Sequence, residues 1–432
     1  MIIVDTALAK RAADGNPIRV GVVGAGFSAR RITYQIATAV PGLQVSAMAN
    51  RTVTNALGAY AYAGITAIEA TSTAEFNRLV LSGRSVVCED ADILCRSELI
   101  DVIVESTGTV EHASVVVIRA IEHGKHVVLM NVELDSTLGP ILKRKADEAG
   151  VIITNSDGDE PGAAMNLVRF VRSIGMEPLV AGNLKSFLDH YRNPDTQQRI
   201  AAENHQKATS MTHFADGSKL AMELNVLANA TGFGVAEGGM YGPTLGHTME
   251  AAQYFGGRSQ PGGMVDYLLA TPPANGVFVV AGTDDPMRRE YLKYLKMGDG
   301  PLYVFYRPYH LPQLEVPLTI ARAALFGDAA VAPLGEAVCE TVAFAKRELR
   351  SDERLDGIGG FTCYGKLLNA SHSNASMYLP MGLSEGCRLT RSIPRDHPIS
   401  YSDIVLPEGR HCDRLREEQS RQSGNENIVA AT

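Results

Sequence analysis

The chain has 432 residues, 45% of them hydrophobic and 20% charged, and a formal net charge of −8. That length buries a large core and predicts two or three domains. The acidic balance disfavours nucleic acid or an anionic membrane as the main partner, so an anionic substrate needs a local basic pocket.

Ile18–Val23 is an apolar, β-prone strand running into Gly24-Ala25-Gly26-Phe27-Ser28-Ala29, the GxGxxA form of a dinucleotide-binding turn. Gly24 turns the chain off the strand, Gly26 lets the backbone approach a pyrophosphate, and Ala29 packs helix on strand. Phe27 and Ser28 lie in the same turn. A helix over 30–40 and the strand Leu43–Ala49 complete a βαβ unit. The second strand ends on Asn50-Arg51-Thr52, where an NAD enzyme usually has an acid for the ribose 2′-hydroxyl. A neutral donor and a cation suit a 2′-phosphate, which favours NADP(H). An alanine-rich helix reaches residue 63, helical character returns over 72–82, and a strand over 102–104 leads into Glu105-Ser106-Thr107-Gly108. Small side chains there let the backbone lie against the cofactor, with hydroxyls from Ser106 and Thr107 beside Gly108. A helix over 110–123 precedes a strand over 125–130 that finishes at Asn131, a further cofactor candidate. A helix over 139–149 and a strand over 151–153 follow.

The pattern then changes. A helix over 165–174, a strand over 179–184, a polar stretch over 190–210 and a helix over 218–229 precede strands at 277–281 and 302–306. The fold class expected is α/β. A doubly wound Rossmann sheet occupies 1–178, an α+β catalytic and oligomerisation domain 179–333, and a small β-rich module 334–410. The charged residues 411–432 read as a mobile tail.

Two clusters carry candidate chemistry. Asp157, Asp159 and Glu160 crowd one loop at the carboxyl end of a parallel strand. Such hard oxygen ligands suit Mg2+ or Mn2+, although a hydrated acidic turn has the same composition. Downstream, Asp216-Gly217 starts a helix on which Lys219 and Glu223 share a face. Lys219 is the leading candidate to protonate an alkoxide as hydride arrives, with Lys185 and Lys207 as rivals. A surface ion pair between Lys219 and Glu223 is the plain alternative. The glycine-rich segment around Glu237 could bring that acid to a metal or close over substrate. His190, His205, His213 and His247 show no zinc-site spacing. The six cysteines form no CxxC and the N-terminus lacks a signal-peptide pattern, which predicts reduced thiols and a cytoplasmic location.

The chain from Ile18 to about Asn229 resembles the homoserine dehydrogenase group. Residues 124–131 (GKHVVLMN) align with that family's GKxVVTANK-like strand, and Asp216 and Lys219 match its helix with slightly altered spacing. Val132 stands where the family has a lysine, which disfavours plain homoserine oxidation. The segment 389–405 looks like half of a SAF module. Together with the NSDGDEPG loop, this combination is similar to the 1-deoxy-D-xylulose 5-phosphate reductoisomerase-like (DRL) enzymes. The resemblance implies NADPH, a divalent ion held by Asp159, Glu160 and Glu237, and Lys219 as acid. It also implies a small phosphorylated sugar substrate, its phosphate met by Lys185, Arg192 or Lys207, and a homo-oligomer, dimer or tetramer. Two other functions fit the same residues: an NADP-dependent dehydrogenase of a hydroxy or sugar acid, and a non-catalytic NADP-binding sugar sensor.

Overall fold

The computed structural model describes residues 3–236 and 239–422. The chain forms two compact units, one of residues up to 159 together with 311–332, the other of 160–310 together with 333 onward.

In the first unit seven strands make one sheet: β1 (Ile18–Val23), β2 (Leu43–Ala49), β3 (Ala67–Glu69), β4 (Ser85–Cys88), β5 (Val102–Glu105), β6 (His126–Leu129) and β7 (Ile153–Asn155). Their order is β3-β4-β2-β1-β5-β6-β7 and every pairing is parallel. Val20, Val22, Val102, Val104 and Val128 are buried, so these strands read as apolar runs rather than as alternating ones. The order reverses between β1 and β5, where Val23 lies opposite Glu105. The loops leaving those two strands flank the crevice in which such sheets bind ligands.

The expected Rossmann sheet is therefore present, with four local differences. β3 and β4 fall in a region read only as a connection, because runs of three and four residues carry almost no periodic signal. The first helix of the βαβ unit starts at Phe27, so the turn residues are already helical. The helix expected over 139–149 spans Val132–Glu148, and the internal Pro140 disguises its first turns. Finally, the helix Pro312–Phe326 belongs to this unit rather than to a domain over 179–333. Its Val316, Ile320 and Ala321 join Ala29, Ile32 and Val20 in one core. Arg322, only 2% exposed, binds Asp157, and its Nη2 reaches Asp328 at 2.7 Å. Thr319 adds a hydroxyl bond to Asp157.

The second unit is built on β8 (Glu177–Lys185), β9 (Met264–Leu269), β10 (Val277–Gly282) and β11 (Leu302–Arg307), in the order β11-β10-β8-β9. β8 and β9 are parallel, and β10 runs antiparallel to β8 and β11. Ala181, Val277 and Val279 share a core with Leu220 and Leu224 of the helix Ser218–Thr231 and Val168 of the helix Glu160–Ser173. Val180, Phe278 and Val280 form a second cluster with Phe255. Two antiparallel pairs follow, β12 (Cys339–Ala345) with β13 (Cys363–Asn369), and β14 (Arg388–Leu389) with β15 (Ile404–Val405).

The residues past 333 are β-rich as expected, but Cys339 and Leu367 complete the core around the 218–231 helix, so they share its compact unit. The polar stretch over 190–210 holds two helices, Pro194–Glu203 and Ala208–Ala215. The helix expected from 165 begins at Glu160, since Pro161 suits a first turn and an acid there complements the helix dipole. The tail expected from 411 does not hold for residues 411–422. A helix, His411–Gln422, buries Cys412, Leu415, Arg416 and Gln419 at i, i+3, i+4 and i+7 spacing. Arg416 Nη2 meets Glu340 Oε2 at 2.5 Å, with both side chains buried. The last ten residues lie outside the described residues. Among the described residues no helix is long and apolar enough to cross a membrane.

Removing one partner of a buried ion pair strands the other charge. Arg322→Met leaves Asp157 buried without its cation and lowers stability by about 3 kcal/mol. The midpoint of the urea transition checks this.

Candidate active site

At the dinucleotide turn Gly24 has φ +101°, and a Cβ there would meet the Ser106 carbonyl oxygen at 2.8 Å. Only glycine allows the β1 and β5 loops to come this close. Gly26 caps the helix Phe27–Ala39 without a side-chain bond, and a Cβ on it would enter open space. The uncapped N–H groups and that open approach fit a pyrophosphate at a helix N-terminus. The Ser106 hydroxyl oxygen is buried and has no hydrogen-bond partner among the described residues. It is a donor suited to a cofactor oxygen.

The other expected cofactor residues divide. Arg51 is exposed beyond β2, while the Asn50 amide donates to the Thr52 carbonyl at 2.8 Å. Arg31 covers the Phe27 ring at 3.4 Å, and Ser28 Oγ accepts from Gln313 at 3.2 Å. Gly108 has φ +67° in an open position, and Thr107 Oγ1 lies 3.1 Å from Thr109 Oγ1. Asn131 turns inward. Its amide donates to Glu105 Oε2 at 2.7 Å and to the Thr109 carbonyl at 2.9 Å, and its oxygen caps Leu134 N–H. Asn131 therefore shapes the cofactor edge from within.

In the second unit, Glu223 is fully buried on the helix Ser218–Thr231, one turn below Lys219. Lys219 Nζ lies 2.7 Å from Glu223 Oε1, and Asn183 Nδ2 donates to Oε2 at 2.8 Å. Lys185 Nζ sits between two carboxylates, 3.9 Å from Glu223 and 3.8 Å from Glu160. His310 Nε2 approaches Glu160 at 3.4 Å. Asn183 and Lys185 are two apart on β8, which puts both on one face of that strand. Glu160 and Glu223 offer ligand oxygens within 4.8 Å of one another. Asp159 is buried and immediately precedes Glu160 in the chain. Two ammonium groups held by buried carboxylates can stabilise and protonate a developing alkoxide, and the Lys219 nitrogen also lies over the Phe214 ring, 5.6 Å from its centroid.

The acids of the 157–160 turn thus separate, because Asp157 is taken by Arg322 and Thr319 in the first unit. Asp216 is also spoken for. Its Oδ2 accepts from Lys346 Nζ at 2.9 Å and its Oδ1 from Ser218 N–H at 2.9 Å, with Asp216 and Lys346 both buried. Lys346 also donates to the Arg192 and Gly360 carbonyls at 2.8 Å. Asp216 is therefore a structural tie at the head of the helix bearing Lys219, rather than a group facing substrate. Gly217, at φ +88°, makes that turn. Lys207 is exposed at the start of the helix Ala208–Ala215, and Arg192 pairs with Asp189 at 3.0 Å. His190 Nδ1 lies 2.7 Å from the Asp216 carbonyl, with its ring stacked on Tyr364. His205 ends a helix and His247 caps a short one, while His213 is buried. Glu237 lies outside the described residues. Sequence reasoning missed Asn183 and His310. Asn183 had a signal, a lone amide inside an apolar strand, whereas His310 lies far along the chain from Glu160 and had none.

Two family models match. "Oxidoreductase DRL, catalytic domain" covers residues 158–316, and "Homoserine dehydrogenase, NAD binding domain" covers residues 20–155. The matches support an NAD(P)-binding oxidoreductase, with one segment similar to the homoserine dehydrogenase NAD-binding domain and another similar to the DRL catalytic domain. Neither model reaches residues 389–405, where the sequence suggested half of a SAF module. No curated protein matches. Among solved structures, a homoserine dehydrogenase from Thiobacillus denitrificans is 15% identical with a TM-score of 0.46, over 89% of this chain and 98% of that one. KijD10, a 3-ketoreductase from Actinomadura kijaniata in complex with NADP, is 21% identical with a TM-score of 0.28, over 40% of this chain. A scyllo-inositol dehydrogenase from Lactobacillus casei is 16% identical with a TM-score of 0.29, over 43% of this chain. This chain spans 49% of the length of each of the last two.

Asp216→Asn leaves Lys346 buried without its counter-charge. Stability falls by about 3 kcal/mol in chemical denaturation.

Proposed function

We propose that the protein is an NADPH- and divalent-metal-dependent reductoisomerase that converts 1-deoxy-D-xylulose 5-phosphate to 2-C-methyl-D-erythritol 4-phosphate, in non-mevalonate isoprenoid biosynthesis. The observation carrying this reading is the group formed by Glu160, Glu223, Lys185 and Lys219, which lies within the segment matched by the DRL model. Carboxylates that converge beside two ammonium groups suit a substrate with neighbouring ketone and hydroxyl oxygens.

The donor set fits a hard cation. Glu160 and Glu223 are buried acids whose oxygens converge, and Asp159, also buried, directly precedes Glu160 in the chain; Glu237, the other acid expected in the set, lies outside the described residues. A bound Mg2+ or Mn2+ supplies Lewis-acid polarisation of the substrate oxygens, and NADPH supplies the hydride. This chain's residues do the rest. Lys219, held by Glu223, protonates the oxygen that becomes a hydroxyl. Lys185 stabilises negative charge on the neighbouring oxygen, and Asn183 fixes Glu223 through its second oxygen. Burial of Glu223 excludes water from the pair and strengthens it. Of the three basic residues expected at the phosphate, Lys207 alone keeps an exposed head at a helix start, which suits a sugar phosphate. Arg51 selects the 2′-phosphate of NADPH.

One observation favours a second reading. Glu160 and Glu223 already lie against lysine ammonium groups, a charge balance that an NADP-dependent dehydrogenase without metal would also use.

NADPH oxidation with 1-deoxy-D-xylulose 5-phosphate separates the two. Turnover that requires Mn2+ and stops with a chelator is expected, and turnover of a hydroxy acid in the presence of chelator identifies the dehydrogenase. Lys219→Met lowers kcat by about 100-fold or more. Arg51→Asp weakens NADPH by about 10-fold or more while NADH binding changes little, as an equilibrium titration would show.

A further inference from the structure

Glu105 closes β5 as a fully buried carboxylate, and among the described residues it makes no ion pair. Its Oε1 accepts the Thr107 N–H at 2.8 Å and its Oε2 accepts Asn131 Nδ2 at 2.7 Å. The same Asn131 amide donates to the Thr109 carbonyl. One carboxylate thus joins both ends of the loop after β5 to the end of β6. That loop carries the unpartnered Ser106 hydroxyl and presses its Ser106 carbonyl against Gly24 of the dinucleotide turn. A bare buried carboxylate is costly, and a core with no role at this position would carry an apolar residue instead.

We propose that Glu105 is a positioning residue of the cofactor site, whose ionised carboxylate holds the Ser106–Thr109 loop in the shape that receives the dinucleotide. The inference rests on NAD(P) binding by the first unit and is independent of the substrate.

Ionisation matters because only the carboxylate offers two acceptor oxygens to two donors. Burial pushes Glu105 up to about 7, against the lowering effect of its bonds from Thr107 and Asn131. The charged side chain that acts on it is Glu133, in the first turn of the helix Val132–Glu148, and it raises the value further. The sign for the fold follows from linkage. Because the folded value lies above the ordinary one, Glu105 contributes stability that is fully present below about pH 4 and lost as pH rises through about 7. The loop has the opposite dependence, with its bonds complete only above about pH 7. Fold stability and cofactor affinity therefore respond to this one proton in opposite directions.

The test measures NADPH affinity by fluorescence titration across pH, as the ratio of wild type to variant, which cancels titration of the cofactor's own phosphate. Glu105→Gln turns a donor toward Asn131 or Thr107 and is expected to weaken NADPH by about 10-fold above pH 7. The ratio shrinks toward unity as pH falls below the Glu105 value. Asn131→Asp, which opposes Glu105 with a like charge, weakens binding as well. In the double variant the amide introduced at position 105 donates to the carboxylate introduced at position 131, and much of the affinity returns. Circular dichroism confirms that each variant is folded. Affinities equal to wild type at every pH, or two weakened single variants with no recovery in the double, would overturn the proposal.

Discussion

A buried carboxylate must be met by donors, and that constraint organises both halves of the molecule. The helix Ser218–Thr231 is covered along almost its whole length, so Glu223 is fully buried. Its charge is tolerated because Lys219, Lys185 and Asn183 converge on it from the same helix and from β8. The candidate active site is the arrangement by which this core helix carries an acid. Lys185 then reaches Glu160, which brings the first turn of another helix into the group.

The same constraint acts at Asp216, where the cation comes from far along the chain. Lys346 lies on the strand-rich segment after residue 333, yet it neutralises the residue that opens the 218–231 helix. Loss of that segment would leave Asp216 buried and the start of the helix unsupported. In the first unit, Arg322 performs the equivalent service for Asp157 and fixes the returning helix Pro312–Phe326 to the sheet. Asp157, one of the ligand-like acids of its loop, and Asp216, at the head of the helix that carries Lys219, are in this way structural.

Legibility in the sequence followed the range of the interaction. The Gly24 turn, the Rossmann strands β1, β2, β5 and β6 and the Lys219–Glu223 spacing depend on near neighbours, and local pattern shows them. β3 and β4 were too short to declare themselves, and Pro140 masked the start of a long helix. The 411–422 helix looked like a charged tail because its buried face holds Arg416 and Gln419, and the burial of Arg416 is tolerated through its pairing with Glu340, seventy-six residues earlier.

The sequence alone determined that a dinucleotide-binding sheet opens the chain, because a glycine turn between a β-prone run and a helix is written in consecutive residues. It also determined which side chains could do chemistry. Only the tertiary structure decided which of them meet. Ion pairs between residues 185 and 223, 216 and 346, or 157 and 322 are set by packing across the chain, and no local spacing encodes them. The role of each acid followed from which cation folding brought to it.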